Sequence, residues 1–279
     1  MTLFNRIWSV TVGQPGETGV KIENLRTSFK VAKTNTGEPS QAEIQIYNAK
    51  PDTRNLLGTT GTVVRLEAGY AQQPDLDRLL CVMDVIDART TQAETEFITT
   101  LTCKDGGNTL RSNKQSVSYS GGKSAKAILQ DVVASAGLVL RDIGPIADDV
   151  FANGFSEAGP FADIMNKIAG KLNARWSIQN NEVQIQNLDE PAEFVVFNLS
   201  KDTGLIGTPE RRNKVGTPES PSQKDGWQVQ SLLLPPIEPG SRLQVESDAV
   251  SGLFRVVKVM HVGDSDEQPW YTQCEVEEF

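Results

Sequence analysis

Residues 241–278 read SRLQVESDAVSGLFRVVKVMHVGDSDEQPWYTQCEVEE, and their spacing decides the fold. A short alternating run, SRLQVESDA, leads to a longer one, LFRVVKVMHVGD. After a polar turn comes a closing run, WYTQCEVEE. Alternation with period two gives each strand one buried and one polar face, which implies antiparallel sheet. The first third of the chain keeps the same rhythm, with VVRLEAGY at 63–70, LLCVMDVIDART at 79–90 and TEFITTLTC at 95–103. The two thirds share almost no residue identity, so what repeats is the pattern of strand lengths and turns. Two similar strand-rich units in one chain is the simplest reading.

Between them the period changes. Ile128, Leu129, Val132, Val133 and Ala136 form one apolar stripe at helical spacing, with Ser124 before it as a helix cap and Gly137 after it as a stop. Phe161, Ile164, Met165, Ile168 and Leu172 form a second stripe, with Pro160 at its first turn. Trp176–Ile178 and Val183–Ile185 predict a hairpin across Asn180-Asn181. The expected class is mainly β with a smaller α/β part. A first β unit spans 1–103, an α/β unit 104–189 and a second β unit 190–279. The polar stretch near 208–226 is expected to be a long exposed loop, with Arg211, Arg212 and Lys214 as its anchors to a partner.

The stretch SVSYSGGKSAKAILQ raises the question of a phosphate-binding loop at Gly121-Gly122-Lys123-Ser124. Such a loop needs a glycine five positions before the Gly-Lys-Ser glycine, and that position is Val117, inside an apparent strand. The helix-cap reading accounts for the same residues without a nucleotide.

Thirty-six acidic residues against 27 basic ones give a net charge of −9, the wrong sign for wrapping nucleic acid. The imbalance is concentrated at the end of the chain, where residues 237–279 hold nine acids and three bases. Lys104–Lys126 is basic instead, which makes Lys114 and Lys123 candidate contacts to an acidic partner surface. Glu275 and Glu277 alternate with Cys274 and Val276. If the latter pair faces a core, both glutamates face away from it, toward a channel lumen or a neighbouring subunit.

The residues for catalysis are sparse. His261 is the single histidine, sits at a strand-like position, and has no nucleophile-elbow motif to serve. Cys81, Cys103 and Cys274 lie on strand-like runs and are not spaced as metal ligands, and disulfides are not expected in a cytoplasm-folded chain. No paired carboxylates are marked out for glycoside hydrolysis. No catalytic, metal or cofactor site is therefore assigned. No apolar run reaches the roughly 20 residues of a membrane helix, and MTLFNRIWSVTVG is too short and polar for a secretory signal.

The order of segments resembles a known family along nearly the whole chain. FKVAKTNTGEPSQAEIQIYN (29–48), VVRLEAGY and TCKDGGNTL (102–110) resemble the opening of the baseplate hub proteins of long-tailed bacteriophages. KSAKAILQDVVASAGL (123–138) and GPFADIMNKIAGKLNARWSIQNNEVQIQN (159–187) resemble the family's middle part. TGLIGTPE (203–210), SLLLPPIEPGSRLQVES (231–247) and LFRVVKVMHVGDSDEQPWYTQCEVE (253–277) resemble its closing half. The resemblance implies a non-enzymatic homotrimer in which each chain carries two barrel-like tube domains. Six such domains would form a pseudo-sixfold ring adapting the tail tube to a threefold central spike. It further implies these partners: the spike, a tail tube or tube-initiator protein, peripheral baseplate proteins and the tape measure protein. DNA would pass through without specific binding, and no cofactor or membrane is involved. The expected location is the virion tail, assembled in the host cytoplasm. Two other classes stay open at this point: a tail-tip peptidoglycan-degrading enzyme and a carbohydrate-binding adhesin.

Overall fold

The computed structural model describes residues 5–35, 39–59, 61–106, 113–143, 146–187, 196–215 and 224–278. The first unit holds β1 (Arg6–Gly13), β2 (Val20–Ile22), β3 (Thr27–Thr34), β4 (Gln41–Tyr47), β5 (Val63–Tyr70), β6 (Leu79–Ala93) and β7 (Glu96–Lys104). A short helix, α1 (Pro51–Leu57), joins β4 to β5. The last unit holds β15 (Val196–Leu199), β16 (Leu205–Val215), β17 (Lys224–Leu232), β18 (Arg242–Glu246), β19 (Ser251–Asp264) and β20 (Trp270–Glu278). All thirteen of these strands belong to one sheet. Alternation drives the buried faces: Val31, Ile44, Ile46, Val64, Leu66 and Ala68 point into the first core, and Leu243, Val245, Val256, Val259, Cys274 and Val276 into another.

The two strand groups are wired alike. In the first, neighbours run β1-β5-β6-β7-β4-β3; in the last, β15-β18-β19-β20-β17-β16. Each long central strand carries a bulge at the same place. β6 loses register with β7 between Val85 and Asp87, and β19 loses register with β20 between Val256 and Lys258. One difference is local: β1 meets β5 antiparallel, whereas β15 meets β18 parallel. The groups join where β3 pairs antiparallel with Lys258–Asp264 of β19. The join is tight. A Cβ on Gly263 would stand 2.3 Å from the Phe29 ring, so only glycine fits at that level. Phe29 meets Trp270 edge to face, with ring centroids 5.5 Å apart.

The middle unit comprises β8 (Lys114–Tyr119), β9 (Lys123–Ser124), α2 (Ala125–Ser135), β10 (Val139–Ile143), β11 (Val150–Phe151), β12 (Phe155–Pro160), α3 (Phe161–Lys171), β13 (Ala174–Gln179) and β14 (Glu182–Asn187). Ser124 Oγ accepts from the Ala127 N–H at 3.2 Å and caps α2. At the other end Gly137 takes φ +73°, and the Gly137 and Leu138 N–H groups close back on Ala134 and Val133. That is a Schellman stop, which needs a residue that tolerates positive φ. α2 and α3 press Ile128, Leu129, Val132, Ile164, Met165 and Ile168 against Trp176, Ile178, Val183 and Ile185. Each such buried side chain contributes about 1.5–3 kcal/mol. Phe161 meets Trp176 edge to face at 5.6 Å. The turn joining β13 to β14 has Asn180 at φ +57° and Asn181 at φ +63°, the two positive values a tight hairpin turn requires.

The polar stretch near 208–226 departs from expectation. Residues 208–215 lie on β16 and 224–226 on β17, paired as a ribbon through Arg211↔Trp227 and Val215↔Lys224. Residues 216–223 lie outside the described part. Pattern reading fails here because the ribbon exposes both faces along this stretch, so no apolar alternation marks it. Pro209 falls where the ladder slips between Ile206 and Glu210, so its missing N–H breaks no ladder bond.

Candidate functional site

The three units meet at a buried polar seam. Its centre is the β13–β14 hairpin tip, held in place by the positive φ of its two asparagines. Asn180 Oδ1 accepts from the Val82 N–H at 3.2 Å, and Asn180 Nδ2 donates to Glu238 at 3.2 Å. Asn181 Oδ1 accepts from the Gly106 N–H at 2.8 Å, while its own N–H donates to Asp105 at 3.1 Å. Next to the tip, Gln179 Nε2 donates to the Thr34 carbonyl at 2.8 Å. Gln186 Nε2 donates to the Pro239 carbonyl at 3.1 Å. The middle unit thus grips the first through Thr34, Val82, Asp105 and Gly106, and the last through Glu238 and Pro239.

At the seam, the buried Lys33 is paired with Glu238. Lys33 is fully buried on β3, opposite Val259, and its Nζ lies 3.3 Å from Glu238 Oε1. Arg141 of the middle unit reaches the other Glu238 oxygen at 3.2 Å. Burial pushes the Glu238 carboxyl up, but Lys33 and Arg141 together outweigh it and hold the group below its ordinary value. Removing one member of such a set leaves a charge without a partner, which costs far more than the intact pair gains. Asp105 is fully buried, and burial pushes it up to about 7, against the pull of Lys33. His261, also fully buried, is pushed down to about 3 by burial and by the Lys33 charge. Its Nδ1 lies 2.9 Å from Thr272 Oγ1. A neutral imidazole without access to solvent joins two strands and is not placed to act on a substrate.

The residues singled out from sequence do not form one cluster. Lys114 is exposed on β8, level with Pro160. Lys123 binds Asp131 at 2.6 Å and lies 4.1 Å from the Tyr119 ring centre, so its charge is engaged within the chain. Arg211 lies 3.8 Å from Asp225, and Arg212 lies 3.2 Å from Glu210 and contacts Gln228. Lys214 is on the same strand. Glu275 lies 3.7 Å from Lys258. Glu277 is only 1 % exposed, bound to Arg255 at 2.8 Å and within electrostatic reach of Arg175 in the middle unit. That burial within the chain removes Glu277 from any lumen-facing role. Sequence alternation found its side of the strand but could not show what covers it.

The Gly-Gly-Lys-Ser turn is tight at its first glycine and open at its second. A Cβ on Gly121 would stand 2.4 Å from the Ala152 carbonyl, so the turn is packed against backbone there. The N-terminus of α2 is filled by Asp148, which hydrogen-bonds Ser124 Oγ and accepts from the Lys126 N–H at 3.2 Å. An anion would meet that carboxylate. The three cysteines are free and buried, and burial pushes Cys81 and Cys274 up to about 12 and raises Cys103 as well. None is a thiolate near neutrality. Among the described residues no three His, Cys, Asp or Glu side chains gather as a metal site, and no helix is long and apolar enough to cross a membrane.

What the molecule does offer is strand edge. β16 pairs with β17 on one side, and among the described residues no strand covers its other side. Asp87–Ala93 of β6 pair with β7 but, among the described residues, have no strand on the opposite edge, where the β5 ladder stops at Val63 opposite Asp84. Long uncovered edges invite pairing with another chain.

No protein-family model and no curated protein matches the sequence. Solved structures do match along the whole chain. A tail protein from Neisseria meningitidis MC58 has 10% identity and a TM-score of 0.71, covering 99% of this chain and 97% of its own. The 43 kDa tail protein of prophage MuSo2 from Shewanella oneidensis has 7% identity and a TM-score of 0.69, covering 97% and 98%. An E. coli component of the type VI secretion system, described as similar to phage T4 tail proteins gp27 and gp5, has 11% identity and a TM-score of 0.64. It covers 96% of this chain and 76% of its own. The chain has the fold of these tail proteins.

Proposed function

We propose that this chain is a structural hub of a phage tail baseplate, a homotrimer that adapts a sixfold tail tube to a threefold central spike. The observation that carries the reading is the duplicated strand order within a chain whose whole length has a tail-protein fold. Two similar strand groups per chain give three chains six equivalents, the number a sixfold tube needs. The spike binds on one side of the ring and the tube or its initiator on the other, with DNA passing through the middle. Peripheral baseplate proteins and the tape measure protein complete the set of partners, and the assembled protein resides in the virion. The proposed role is architectural, and the burial of the histidine and the three cysteines supports it.

Native mass spectrometry of the purified protein tests this. The expected species contains three chains of 30.4 kDa each. A monomer at every concentration, or a ring of another number, would overturn the reading.

A further inference from the structure

The internal duplication carries more than a count. Equivalent positions in the two strand groups can be matched through features that recur. In β6 the residue flanked by strands on both edges is Asp84, and the bulge follows two residues later, at Ile86. In β19 the corresponding residues are Arg255 and Val257. Asp87–Ala93 therefore corresponds to Lys258–Asp264. Across the sheet, Val31 of β3 stands opposite Ala42, which stands opposite Cys103 and then Val85. Arg211 of β16 stands opposite Trp227, then Val276, then Val256. Val31 therefore corresponds to Arg211.

Within the chain, Lys258–Asp264 is the segment that takes β3 as its neighbour. Its counterpart, Asp87–Ala93, has an uncovered edge on the same side of its sheet. The counterpart of β3 is β16, the strand with an uncovered outer edge. We infer that β16 of one protomer pairs antiparallel with Asp87–Ala93 of the next, repeating between chains the join that β3 and β19 make within one.

The register follows from the match. Met260 opposite Ala32 becomes Arg89 opposite Arg212, and Val262 opposite Lys30 becomes Thr91 opposite Glu210. Each arginine already has a carboxylate two residues away on its own strand, Asp87 at 2.8 Å from Arg89 and Glu210 at 3.2 Å from Arg212. In the paired ribbon each carboxylate is also diagonal to the arginine of the other chain, within reach of long side chains. The level Arg–Arg pair is thus flanked by two acids. The contact is heterologous, so one protomer offers β16 and the next offers β6, and a ring closes only when the rotation per chain allows it.

This inference rests on the trimeric hub reading, and cysteine pairs separate the two. Arg89 and Arg212 are exposed, and the native cysteines are buried and silent to mild oxidation. Arg89→Cys combined with Arg212→Cys should give covalent dimers and trimers on a non-reducing gel. Arg89→Cys with Arg211→Cys should not, because a one-residue slip turns the side chain to the other face. A trimer by native mass whose two pairs cross-link equally would overturn the strand pairing and leave the hub reading standing. A protein that stays monomeric would overturn both. Hydrogen exchange on the unmodified trimer gives a second reading, with Asp87–Ala93 expected to be as protected as Lys258–Asp264. Fast exchange there would overturn the pairing.

Discussion

At the scale of single residues, burial sets protonation in opposite directions at two groups that both feel the Lys33 charge. Asp105, pushed up to about 7 by burial, keeps a proton in the folded chain that the unfolded chain releases near its ordinary value of 3.8. Its contribution to stability is therefore present at low pH and lost as pH rises from about 4 to about 7. His261, pushed down to about 3, stays neutral when folded while the unfolded chain protonates below 6.5. Its contribution is lost as pH falls from about 6.5 to about 3. The two slopes oppose each other across the same window, with the Lys33–Glu238 pair beside them. Asp105→Asn keeps an oxygen for the Asn181 N–H and removes only the first slope. Urea unfolding at pH 4, 5.5 and 7.5 should show the variant gaining stability with pH more steeply than the parent, with its largest advantage above pH 7. Parallel profiles would mean that Lys33 keeps Asp105 ionised in the fold.

At the scale of elements, local signals were legible and long-range register was not. Ser124, Gly137 and Asn180-Asn181 announced a cap, a stop and a turn because each acts through its own backbone. The period-two runs named the strands around both cores for the same reason. The β16–β17 ribbon escaped because a two-sided exposed strand has no buried face to alternate. The buried Lys33 escaped because its partners come from segments far along the chain, Glu238 lying 205 residues away. The β3–β19 join is of this kind, and its sterics make a sharp test. Gly263→Ala would drive a methyl group into Phe29 and Trp270, both packed in the first core and unable to swing aside. Overpacking of this kind costs about 1–3 kcal/mol, to be read as a lower urea midpoint at unchanged slope. An unchanged midpoint would show that the two strand groups are not held at this level.

At the scale of the whole molecule, the sign of the charge bears on the DNA passage proposed above. Each chain has a net charge of −9 and a pI near 4.8, while duplex DNA carries about one negative charge per 1.7 Å of axis. A conduit that bound DNA would release counterions and hold the duplex; one that repels it leaves the counterions in place. The test does not depend on which carboxylates face inward, which matters because Glu277 is committed to Arg255 and Glu275 lies beside Lys258. Screening weakens with dilution of salt, the Debye length reaching about 30 Å near 10 mM, so low salt is where any attraction would be strongest. Titrating the purified protein into a labelled duplex at roughly 10 mM salt should give no change in fluorescence anisotropy. Binding that salt reverses would reveal a concentrated basic surface on the protein, and the proposed passage by repulsion would have to be abandoned. Absence of binding together with a trimeric mass would fit a molecule whose acidic balance serves transit rather than recognition, since the net repulsion acts on any duplex sequence alike.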